Sequence, residues 1–172
     1  MFQSIEKYIQ ENGKYPPELI KFTAVFIPRF VLEKSKPIIM KKESIISGRR
    51  KKQSQDLSKT PAFMLFNRMY WGKGVLNAPG LHAGNSFDLA TPNGMALFLH
   101  EEYHIYQWFR NPLKMIYQYI KAPFESLLRC GILFAHEVIP FEIEAIKFEH
   151  QMKKTLNQPE YSEKLKIFEK MR

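Results

Sequence analysis

The sequence predicts an α+β domain in which a small N-terminal β element is followed by a mainly helical part. Two observations carry this prediction. Short runs rich in Ile, Phe, Tyr and Trp lie between residues 38 and 78, broken by turn residues. Longer stretches with helical spacing follow, several opening on a proline, which suits the first turn of a helix. A third observation, 172 residues with 45% hydrophobic content, allows a single domain spanning residues 1–172 and excludes wholesale disorder.

Taken in order, Pro16-Pro17-Glu18 starts a helix expected to run from Glu18 to about Lys34, kinked or shortened at Pro28. Ile38 to Met40 and Ile45-Ile46 suggest one or two short strands, and a polar, basic loop covers about residues 47–60. Phe63 to Ala78 reads as strands joined by a turn at Gly72-Lys73-Gly74. Asn77 to Asn93 is Gly, Pro and Asn rich and reads as a loop. Thr91-Pro92-Asn93 caps a helix expected from about Pro92 to Phe109, ending near Asn111-Pro112. Leu113 to Ala122 and Phe124 to about His136 read as two helical pieces parted by Pro123. Pro140 opens another, to about Leu156, and Tyr161 to Arg172 forms a terminal helix.

The formal net charge is +9, and Lys34 to Lys59 alone carries net +7, from 9 basic and 2 acidic residues. Within it, Arg49, Arg50, Lys51 and Lys52 could contact phosphates of nucleic acid or of an anionic membrane. No aromatic residue lies between Ile46 and Thr60 to stack on bases. Cys130 is the single cysteine, so an intrachain disulfide is excluded. The first residues lack the pattern of a signal peptide, and no apolar run reaches the roughly 18 residues of a spanning helix. The expectation is a cytoplasmic protein.

Residues 100 to 104 read His100-Glu101-Glu102-Tyr103-His104, an HExxH pattern inside a predicted helix. Histidines at i and i+4 share a helix face about one turn apart, so both rings can reach one metal ion. Glu101 projects beside them, where it can take a proton from a water that the metal activates. A hydrolytic zinc site needs a third protein ligand, and His136, Glu142, Glu144 and His150 follow in the chain. Glu142 and Glu144 lie about 200° apart on one helix, so at most one faces the metal. Glu142 shares a face with Ala145, Ile146 and Glu149 and is preferred, with Glu144 as its competitor. His82, His136 and His150 read as ordinary histidines.

His100-Glu101-x-x-His104 with a Glu on a later helix resembles the gluzincin class of zinc metallopeptidases. The run from Met69 to Ala145 is similar to short bacterial HExxH domains with a Gly-containing strand, the sequence Gln107-Trp108-Phe109 after the motif, Tyr117-Gln118-Tyr119, and a Pro-x-Glu-x-Glu-Ala helix at Pro140 to Ala145. The resemblance implies a zincin-like fold, and Zn2+ held by His100, His104 and Glu142 with Glu101 as general base. It implies a peptide or protein substrate, which could pair with the strand near Gly74 to Ala78. Tyr117, Tyr119 and Gln107 become candidates to stabilise an oxyanion or to support a ligand. Two positions depart from the pattern. Glu102 replaces a usual apolar residue, and Ile146 stands where membrane-bound relatives often carry an Asp that could support a ligating histidine.

Two other function classes compete with a metallopeptidase. One is a basic interaction module for nucleic acid or anionic membrane, its HExxH structural or degenerate. The other is an inactive metal-site scaffold that binds a partner protein.

Overall fold

A computed structural model describes residues 3–39, 62–72, 76, 87–130 and 139–171. It is a mixed α/β, mostly helical structure. Three short helices come first, α1 (Ile5–Asn12), α2 (Pro17–Thr23) and α3 (Arg29–Lys34), so the β element is interior to the chain rather than N-terminal. Ser4 caps α1 by accepting from the Lys7 N–H, and Gly13 ends it at φ 62°, a left-handed turn that glycine adopts without steric cost. The helix expected from Glu18 to Lys34 is divided, because Pro28 lacks an N–H and disfavours helical geometry at Ile27; it then serves as the start of α3.

The sheet has three strands, β1 (Lys36–Ile39), β2 (Ala62–Leu65) and β3 (Arg68–Trp71), in the order β1-β3-β2. β1 runs parallel to β3, with Ile39 opposite Trp71, and β2 runs antiparallel to β3, with Ala62 opposite Trp71. The turn that joins β2 to β3 is Phe66-Asn67; Gly72 follows the end of β3, and the rest of the expected Gly72-Lys73-Gly74 turn lies outside the described residues. Phe66 sits at φ 59°, a left-handed position that usually takes glycine. Ile45, Ile46, the basic loop, Lys73, Gly74 and Val75 lie outside the described residues.

The motif helix α4 (Pro92–Arg110) is capped by Thr91, whose hydroxyl accepts from the Gly94 N–H at 3.1 Å and donates to the Asp88 carbonyl at 2.9 Å. The preceding loop lies so close to the first turn that a Cβ on Gly94 would stand 2.1 Å from the Asp88 carbonyl oxygen. One helix, α5 (Pro112–Cys130), replaces the two expected pieces and runs through Pro123. A proline inside a helix removes one hydrogen bond and strains the turn before it, but does not have to end it. α6 (Pro140–Leu156) begins at the expected proline, and the tail is α7 (Pro159–Leu165) followed by a 3-10 helix, Lys166–Met171.

The core forms between the first helices, the sheet and the inner face of α4. Trp71 and Phe98 stack with centroids 5.4 Å apart, and Tyr15 meets Phe98 edge-on at 5.4 Å. Each such buried aromatic contributes roughly 2 kcal/mol by removal from water. The Tyr15 hydroxyl accepts from Trp71 Nε1 at 2.8 Å and donates to Glu102 Oε1. Glu102 is fully buried there. Burial raises its pKa from 4.5 to about 8, against the lowering effect of the Tyr15 hydrogen bond.

Two outcomes follow for stability. Gly94→Ala should lower the unfolding free energy by roughly 2 kcal/mol or more through overpacking against the Asp88 backbone, read from denaturant midpoints. Between pH 4.5 and 8 the native state keeps a Glu102 proton that the unfolded chain has released, so this group lowers stability as pH rises through that window. With chelator present, Glu102→Gln should melt close to wild type at low pH. At high pH it should melt above wild type by about 4 °C or more. A difference that does not change with pH contradicts this.

Candidate metal centre

His100 and His104 project from α4 toward α6, with ring centroids 5.0 Å apart and planes at 85°. α6 brings Glu142 to them: its Oε2 lies 3.8 Å from His100 Nε2 and 3.4 Å from His104 Nε2. One ligand atom from each of the three residues falls within 4.8 Å of the others. Two imidazoles and a carboxylate gathered this way form a candidate metal site, and an N2O donor set suits a borderline ion such as zinc. Close approach of the two helices is what allows it. Ala145 on α6 is fully buried, and Tyr103 stacks on Phe148 at 4.5 Å and 18°.

Every one of the three has a supporting contact. His104 Nδ1 lies 2.9 Å from Gln107 Oε1, and Gln107 Nε2 donates to the Phe141 carbonyl at 2.9 Å and to Glu144 Oε2 at 3.3 Å. With Nδ1 donating to Gln107, His104 Nε2 is the nitrogen turned toward Glu142 and is the one a metal would take. Tyr119 on α5 donates to Glu142 Oε1 at 2.8 Å, leaving Oε2 toward the histidines. His100 Nδ1 lies 3.1 Å from Glu149 Oε2, as an ion-pair contact rather than a well-directed hydrogen bond. Glu149 Oε1 is in turn held by Lys153 Nζ at 2.6 Å.

The charges respond to each other. Burial opposes the charged His100 ring, but Glu142 and Glu149 outweigh it and raise the pKa to about 10. Burial likewise opposes the charged carboxylates. Bonds from His100, His104 and Tyr119 nevertheless hold Glu142 far below the usual range, and His100 and Lys153 lower Glu149 to about 2. Glu101 moves the other way: burial raises it, with the two histidines pulling it back down. Tyr119 is raised by burial and by the Glu142 charge, so its hydroxyl keeps its proton at neutral pH.

A cleft of about 430 Å³ opens on this cluster. Glu101, both histidines, Tyr119 and Glu142 form its polar side. Its other walls are apolar: Met64 and Phe66 from the hairpin, Trp108 from α4, Met115 and Ile116 from α5. Phe66 packs on Trp108 at 5.1 Å.

Glu144 is outside the cluster, bonded to Gln107 instead. Tyr117 is 60% exposed on the outer side of α5, with Lys121 Nζ 5.7 Å from its ring, so it cannot stabilise an oxyanion in the cleft. His150 is exposed. His82, His136, Arg49, Arg50, Lys51 and Lys52 lie outside the described residues. So does the stretch from Gly74 to Ala78, apart from Leu76, which sits in a turn; the strand that lines the cleft is β2. Sequence reasoning missed the role of Glu149. Its signal was the spacing: seven residues after Glu142, it returns to the same face of α6 two turns on. It supplies, from another position, the histidine support that Ile146 cannot.

Replacing Glu149 by Gln should weaken metal binding about 10–100-fold, while Glu144→Gln leaves it unchanged. A competition titration against a chelating dye near pH 9, where proton competition at His100 is reduced, measures both.

No protein-family model matches the chain, and comparison with curated proteins and with solved structures finds no similar protein.

Proposed function

We propose that the chain is a zincin-like, gluzincin-type zinc metallopeptidase. The observation that carries this reading is the meeting of His100, His104 and Glu142 beside Glu101, at the floor of an apolar cleft. The three residues would hold Zn2+, which when bound polarises a carbonyl and lowers the pKa of water toward neutrality. Glu101, on the polar side of the cleft with a raised affinity for protons, would accept the proton of the attacking water and deliver it to the departing peptide nitrogen. Tyr119, protonated and facing the cleft, could serve a developing oxyanion by turning its one O–H away from Glu142, so it takes the role first shared with Tyr117.

A peptide substrate fits the walls. β2 is at the edge of the sheet and its residues line the cleft, so an extended chain can add main-chain hydrogen bonds there. Met64, Met115 and Trp108 favour an apolar side chain next to the scissile bond.

The test has two parts. Purified protein should hold near-stoichiometric zinc, and His100→Ala should lose it. Glu101→Gln should keep zinc and lose hydrolysis of a mixed peptide library by about 100-fold or more. Zinc retained by His100→Ala, or full activity in Glu101→Gln, would sink the proposal.

A further inference from the structure

We infer that the mouth of the cleft is set into a face that docks on an anionic lipid bilayer. The face consists of the outer side of α5 and the tip of the β2–β3 hairpin. On α5, Leu113 is 79% exposed, Ile116 39%, Tyr117 60% and Ile120 61%. At 100° per residue these four fall within about 100° of one another, a single apolar stripe along the helix. Met115 points the opposite way and is buried. The hairpin adds Leu65 and Phe66, 48% and 52% exposed. Leu65, Phe66 and Ile116 also line the cleft, so stripe, hairpin tip and cleft mouth are one continuous surface.

A large exposed apolar surface calls for an occupant. Charge decides which one. Lys114 and Lys121 lie about 100° and 80° around α5 from Leu113, along one border of the stripe. Both are exposed, as are Arg110 before the helix and Arg68 in the hairpin. No Asp or Glu occurs between Glu102 and Glu125, nor between Asp56 and Asp88, the stretches that hold the stripe and the hairpin. An apolar stripe bordered by Lys114 and Lys121, with Glu125 as the one acidic residue in the sequence of α5, is the pattern of a helix lying in a membrane interface, its apolar residues among the acyl chains and its cations at the headgroups. A second copy is the poorer occupant. A two-fold pairing of this face on itself would set Lys114, Lys121, Arg110 and Arg68 against their own copies. No described helix is long and apolar enough to cross a membrane.

This inference stands apart from the peptidase reading and is tested without a substrate. Full-length protein is sedimented with vesicles of phosphatidylcholine alone and of phosphatidylcholine with about one-third phosphatidylglycerol. It should bind the anionic vesicles, weakly the neutral ones, and less at high salt. Leu113→Gln with Ile120→Gln should reduce partitioning about tenfold or more, with circular dichroism and zinc binding unchanged. Lys114→Gln with Lys121→Gln should reduce it roughly fivefold per charge on anionic vesicles and little on neutral ones. A variant with Arg49, Arg50, Lys51 and Lys52 all changed to Gln should still respond to the stripe substitutions. Failure to bind either vesicle overturns the inference, as does equal binding by the Leu113/Ile120 variant. So does a salt-stable dimer in ultracentrifugation that the same variant converts to monomer, which would assign the face to a second copy.

Discussion

The contact between α4 and α6 is the constraint on which the rest of the structure depends. α4 supplies two histidines one turn apart, but neither helix alone can present three ligands to one point. The buried Ala145 lets the backbones approach, and the Tyr103–Phe148 stack sets how far they turn about each other. Given that contact, Glu142 at the first turn of α6 meets the histidines and Glu149 reaches the back of His100 two turns later. Gln107 ties the same helices from the opposite side, one end on His104 and the other on the Phe141 carbonyl. A ligand set supported on both sides loses little freedom when it binds, which is why such supports matter to affinity.

The cluster also illustrates what a candidate metal site costs a fold. Two carboxylates and two imidazoles are held close together in a part-buried place, and burial by itself opposes each charge. The groups offset this by pairing, with His100 carrying the proton between Glu142 and Glu149. A cation that takes those ligands replaces the proton, so the electrostatics that hold the metal-free form together are the same that receive an ion.

Much of this was legible in the sequence, and the failures have local physical reasons. α4 and α6 announced themselves through Thr91, Pro92, Asn111 and Pro140, because capping chemistry and proline act within a turn. HExxH specified a face of α4, and a 100° step per residue separated Glu142 from Glu144. The turn between β2 and β3 went unread because Gly72 and Gly74 are the stronger turn signal, whereas Phe66 adopts positive φ at a steric cost that only its tertiary setting can hold. Phe66 packs on Trp108, 42 residues away, and no local pattern encodes that contact. α1 escaped notice although Ser4 and Gly13 bracket it, since eight residues give a weak periodic signal. Tyr117 and Tyr119 could not be told apart by composition. They lie two positions apart on α5, one facing solvent and the other Glu142.

Glu102 shows how the core reaches into the chemistry. It stands next to Glu101 in the motif, and two ionised carboxylates on adjacent residues of a part-buried helix would repel each other. Burial against Tyr15 and Trp71 raises Glu102 to about 8, so near neutral pH it is mostly uncharged. Glu101 therefore answers first to its own burial, which raises it, and then to the charges of His104, His100, Glu142 and Glu149, rather than to its sequence neighbour. An apolar residue at position 102 would spare Glu101 in the same way but would leave the buried Tyr15 hydroxyl without an acceptor. The carboxylic acid accomplishes both, which accounts for a Glu where a motif helix ordinarily buries a hydrocarbon.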